Sequence, residues 1–146
     1  MKKILVMTSV FIFLNPFLIN AEYDPIKLGD AAGAYLASAY YLHELKDTPC
    51  QYLPFKKYSS IDSINSIVRD IYSSLNGKDK NKFYSFIESK NLKKTAQNDF
   101  VAGYNKLLNK IELDKNTACG MVFGMYLQQY SEHRKKWKDA KKLYSK

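Results

Sequence analysis

From Ile26 to Leu45, apolar side chains fall at Leu28, Ala32, Tyr35, Ala39 and Leu42. Steps of four and three line one face of an α-helix, so a first helix is predicted there. Pro49 and Pro54 flank Cys50, and each proline disfavours helix at the residue before it, which predicts a non-helical connection. Ser59, with Asp62 three residues on, reads as a capping-box-like start. Behind it Ile61, Ile64, Val68, Ile71 and Leu75 repeat at helical spacing, up to a C-cap signal at Asn76-Gly77. A short helix is predicted over Asp79 to Ser89, burying Phe83, Phe86 and Ile87. Another is predicted over Leu92 to Ile111, with Phe100, Tyr104, Leu107 and Ile111 on one face. Asp114 or Asn116 can cap a last helix, whose stripe is Cys119, Val122, Tyr126, Tyr130, His133, Trp137, Ala140 and Tyr144. No segment alternates with period two between turn residues. The pattern predicts an all-α fold, a small bundle of four or five helices in one domain over 22–146.

Residues 1–21 stand apart. Lys2 and Lys3 precede an apolar run from Ile4 to Leu14, and Asn15 and Pro16 break it before Ala21. That is the layout of a cleaved export signal. A membrane anchor needs about 20 apolar residues, and the polar interruptions deny it that length. The expected destination is the periplasm or the exterior, with no stable membrane insertion. Cys50 and Cys119 are the two cysteines. In an oxidising compartment an even count reads as a disulfide, and two cysteines allow one intramolecular pairing. Gly29/Gly33 and Gly120/Gly124 form small-x-x-x-small pairs on the first and last predicted helices. In a bundle such pairs predict close packing of backbones.

Composition changes the picture mainly by exclusion. The 146 residues are 46% hydrophobic and 25% charged, too apolar for intrinsic disorder. His43 and His133 are the only histidines, and neither lies in H-E-x-x-H. With both cysteines oxidised, two histidines cannot close a structural zinc site. No glycine-rich phosphate loop occurs. No two acidic residues pair on one helix as an acid/base couple: Asp62 reads as a cap and Asp70 as an exposed-face charge. No cofactor, metal or catalytic residue is assigned, and the chain is not expected to be an enzyme.

The charge is concentrated. The formal +9 arises from 23 Lys+Arg against 14 Asp+Glu, and loss of Lys2 and Lys3 leaves +7. Residues 132–146 hold seven basic and two acidic side chains, hence +5 of that total. A last helix from Lys115 to Tyr144 would be about 45 Å long against about 30 Å for the first. Its last two to three turns are therefore expected to project beyond the bundle. Tyr130 and Trp137 would serve as aromatic anchors for an acidic protein partner, with Arg134, Lys138 and Lys141 steering association. The competing readings are a solvated basic end that complements the helix dipole and an amphipathic segment on anionic lipid. Nucleic acid is not expected, because the basic side chains are nearly all lysine and the chain is exported.

This plan of signal, small α domain, one disulfide and no catalytic set is similar to that of periplasmic immunity proteins that neutralise secreted cell-wall-degrading toxins. Small exported inhibitors and acid-stress chaperones share it. The resemblance is one of plan across the mature chain and rests on no motif. It implies a binding protein that blocks a partner sterically. The alternatives are an envelope hydrolase with an unrecognised carboxylate pair and a chaperone-like stress protein. The sequence does not determine the oligomeric state.

Overall fold

The computed structural model describes residues 22–89 and 91–145, leaving aside the side chains of 86, 88 and 89. The export signal expected at 1–21 lies outside them. Among the described residues the elements are α1 (Pro25–Glu44), α2 (Lys56–Ser59), α3 (Ile61–Ser73), α4 (Gly77–Ser89), α5 (Leu92–Lys110) and α6 (Lys115–Tyr144), with a 3-10 turn over Leu45–Asp47 and no strand. The all-α architecture is as expected, and the single turn of α2 is an addition.

Each start has a local cause. Asp24 caps α1 by accepting from the backbone N–H of Ile26 and Lys27, with Pro25 in the first turn. Asn91 accepts from Lys94 N to open α5, and Asp114 accepts from Asn116 and Thr117 to open α6. The cap of α3 is Ser60, whose Oγ accepts from Ser63 N, one residue later than expected. Ser59 is buried instead and donates to the Phe55 carbonyl. Asn76-Gly77 is not a left-handed stop: α3 ends earlier, with Ser74 as its C-cap, and Gly77 begins α4 without positive φ.

α1 is the central helix. Its run from Ala31 to Leu42 carries no charged side chain, the composition of a helix enclosed on most sides. α6, α5, α2 and α3 all pack around it. Leu28, Leu36 and Leu42 are fully buried, each contributing roughly 2 kcal/mol of hydrophobic stabilisation. His43 extends from α1 to the α2–α3 corner, where its Nδ1 donates to the Ser59 carbonyl at 2.8 Å. Nε2 is then left to accept from Lys46 Nζ at 2.8 Å.

α1 and α6 form an antiparallel pair in continuous register. Asp24 N donates to the Tyr144 carbonyl at 3.4 Å at one end, and Cys50 and Cys119 are joined at the other, Cα atoms 5.4 Å apart. Between them the Tyr35 and Tyr130 hydroxyls lie 3.5 Å apart, and the Tyr41 and Tyr126 rings 5.1 Å apart. The disulfide is the one expected from the two cysteines, and both are buried.

This register overturns the projecting tail. The 3-10 turn and the connection to Cys50 prolong α1 alongside the first turns of α6, so the longer helix is matched throughout. Its final turn is held by the start of α1, where Lys27 Nζ donates to the Tyr144 hydroxyl at 3.4 Å and lies 4.7 Å from its ring centre. The glycine expectation also fails at three of its four positions. A β-carbon added at Gly29, Gly120 or Gly124 would meet nothing within 4 Å, so these glycines do not bring backbones together. Gly29 and Gly33 instead edge a cleft of about 250 Å³ toward Leu75 and Phe83.

Candidate functional site

The basic half of α6 has two sides. Glu132 and Asp139 are one heptad apart and share a face with Lys135 and Lys136 at helical spacing. Arg134, Lys138 and Lys141 recur at i, i+4 and i+7 on a different flank, which has no acid from its own helix. Like charges at i, i+4 cost roughly 0.2–0.5 kcal/mol per pair, so this flank is under electrostatic tension.

Among the described residues one carboxylate reaches the flank, and it comes from α3. Asp70 Oδ1 accepts from Lys141 Nζ, and Oδ2 accepts from the Trp137 indole N–H at 2.7 Å. Burial alone would raise the Asp70 pKa, but the Lys141 and Trp137 hydrogen bonds outweigh it and hold the carboxyl below its usual range. Asp70 was expected as an exposed-face charge; the structure makes it the link between α3 and α6. Its helical position, three residues after Ile67 at the edge of the apolar stripe, was the available signal.

The five residues expected to meet a partner divide sharply. Trp137 is 1% exposed and Tyr130 8%, so neither aromatic side chain is presented at the surface as an anchor. Both lie on the stripe that α6 turns toward the core, because that flank is covered over its whole length. Lys141 is half-buried against Asp70, while Arg134 and Lys138 are exposed. Among the described residues, Arg134, Lys135, Lys136, Lys138 and Lys142 have no carboxylate within 4 Å.

Arg134 and Lys138 stand at a cleft of about 240 Å³ between α1, α3 and α6. Tyr35, Ser66, Ile67, Asp70 and Trp137 complete its lining. Burial, then the contact with Tyr130, push the Tyr35 hydroxyl well above its ordinary pKa, while the Arg134 guanidinium acts in the opposite direction. Tyr35 therefore stays a neutral donor beneath two cations. A lining with two cationic side chains suits an anion.

Other polar groups are occupied in holding helices together. Tyr41 donates to Asp99, and burial, then the Asp99 charge, raise Tyr126 to about 12. Glu44 accepts from Gln97 at 3.0 Å, and Tyr23 donates to Asp79 at 2.9 Å. His133 lines a separate shallow cleft with Lys27, Asp30 and Lys136, its Nδ1 buried without a partner. Among the described residues, no group of three or more His, Cys, Asp or Glu is placed to hold a metal ion. None of the described helices is long and apolar enough to cross a membrane.

No protein-family model, curated protein or solved structure matches the chain.

Proposed function

We propose that the chain is an exported binding protein of the inhibitor or immunity type, which blocks an acidic protein partner by covering its surface with the exposed flank of α6. The observation that carries this reading is the exposed pair Arg134 and Lys138, with no carboxylate within 4 Å among the described residues, displayed on a helix held at both ends. The disulfide supports export to an oxidising compartment such as the periplasm. Six of the fourteen acidic residues have structural work: Asp24 and Asp114 cap helices, and Asp70, Asp79, Asp99 and Glu44 serve neighbouring side chains.

The mature chain, immobilised with its disulfide intact, should retain from an envelope extract an acidic protein that re-forms a stoichiometric complex when purified. Association should slow steeply between low salt and about 0.15 M, where charges are screened beyond roughly 8 Å. Arg134→Glu and Lys138→Glu should each slow it by about tenfold or more. A complex whose formation ignores both salt and these charge reversals overturns the assignment to this flank. Turnover of purified cell-wall material by the chain alone, abolished by one Asp or Glu substitution, overturns the binding reading itself.

A further inference from the structure

We propose that the cleft between α1, α3 and α6 receives a carboxylate side chain, a Glu or Asp of a protein partner, between Arg134 and Lys138. The inference rests on the binding reading above and names what that flank grips. Three observations meet here. First, Arg134 and Lys138 are one turn apart with no acid on their own flank of α6, so an incoming anion relieves a repulsion built into the helix. Second, the carboxylate in the wall is turned to other partners: the Asp70 oxygens accept hydrogen bonds from Lys141 and from Trp137. Among the described residues neither it nor any other carboxylate lies within 4 Å of Arg134 or Lys138. Third, Tyr35 and Ser66, two hydroxyl-bearing residues, line the same space beside the two cations.

The size and charge of the cleft narrow the ligand. About 240 Å³ holds roughly eight waters at about 30 Å³ each, room for one side-chain tip and its solvent. The guanidinium fork offers two parallel N–H donors to a planar carboxylate. A tetrahedral phosphate matches that planar fork less closely than a carboxylate does. The cleft therefore suits a small, planar acceptor.

Trp137 is the only tryptophan, and its indole N–H lies in the cleft wall, so its resonance reports the site directly. The isotope-labelled mature chain would be titrated with acetyl-Gly-Glu-Glu-Gly-amide, with the glutamine counterpart, and with inorganic phosphate. The glutamate peptide should shift the indole resonance saturably in the millimolar range, with the glutamine peptide weaker by about tenfold. Arg134→Gln and Lys138→Gln should each weaken the glutamate peptide by about tenfold, while Lys142→Gln, on the same basic end but outside the cleft lining, changes it by less than about twofold. Equal binding of the two peptides, an equal loss on Lys142→Gln, tighter binding of phosphate than of the glutamate peptide, or no saturable shift would each overturn the proposal. The two readings fail separately. Cell-wall turnover would end the binding reading without moving this titration, and a silent Trp137 would end this one while partner capture stood.

Discussion

Asp70 carries two obligations with one side chain. It accepts from the buried indole of Trp137 and pairs with the ammonium of Lys141. Removing it by Asp70→Ala leaves the Trp137 N–H without its acceptor, a loss of about 1–3 kcal/mol for a buried donor. The Asp70 side chain is 43% exposed, so water replaces part of that bond and the lower half of the range is expected. The charge has a separate signature. With its folded pKa below the ordinary 3.8, Asp70 binds fewer protons folded than unfolded, so stability rises with pH in the acid range. That contribution is complete above the unfolded value and is lost as pH falls from about 4 through the lower native one. Urea midpoints measured from about pH 2 to pH 6 should therefore show a shallower acid limb in Asp70→Asn, which keeps an acceptor and loses the charge. An unchanged limb would remove Asp70 from the acid response.

Among the elements, α6 is the one whose sequence least resembles its behaviour. Gly120 and Gly124 sit on its outer surface, where a β-carbon meets nothing, and each costs helix propensity with no packing return. Gly120→Ala and Gly124→Ala should each stabilise the fold by about 0.5–1 kcal/mol, read as a raised denaturant midpoint at constant slope. Destabilisation by either would mean that the position is covered in the folded protein. α1 shows how far periodicity reaches. Leu28, Ala32, Tyr35, Ala39 and Leu42 are all buried as their spacing predicts. Ser38 and Glu44, off that stripe, are buried too. A single apolar face describes a helix with one neighbour; the charge-free run from Ala31 to Leu42 was the sign of several. The one-residue shift from Ser59 to Ser60 at the α3 cap is of another kind. Two adjacent serines offer equal caps locally, and burial of Ser59 against Phe55 decides between them.

At the scale of the whole molecule, the Cys50–Cys119 bridge closes a loop that contains α2 to α5 and pins one end of the α1–α6 pair. A loop of 69 residues' separation predicts stabilisation of about 4 kcal/mol through the unfolded chain. The Cys50→Ser/Cys119→Ser double variant should lose up to that amount and show a steeper denaturant slope, because its unfolded state expands further. A loss below about 1 kcal/mol would show that the α1–α6 register holds without the bridge.

The sequence by itself determined the helical class, the principal helices to within a few residues, and the only available disulfide. Those follow from local periodicity, capping chemistry and a count of two cysteines. It also located the basic end of α6. The tertiary structure decided what that end presents. Helical spacing says that Tyr130 and Trp137 share a face, but whether that face meets water or another helix depends on the length and direction of what packs against it. The 3-10 turn and the Cys50 connection lengthen α1 to match α6, so the aromatic side chains are enclosed and the flank of Arg134 and Lys138 is left outward. Asp70 was legible only as a charge beside an apolar stripe. Its role came from α6 crossing α3 at that turn, a contact across the fold that no local pattern encodes.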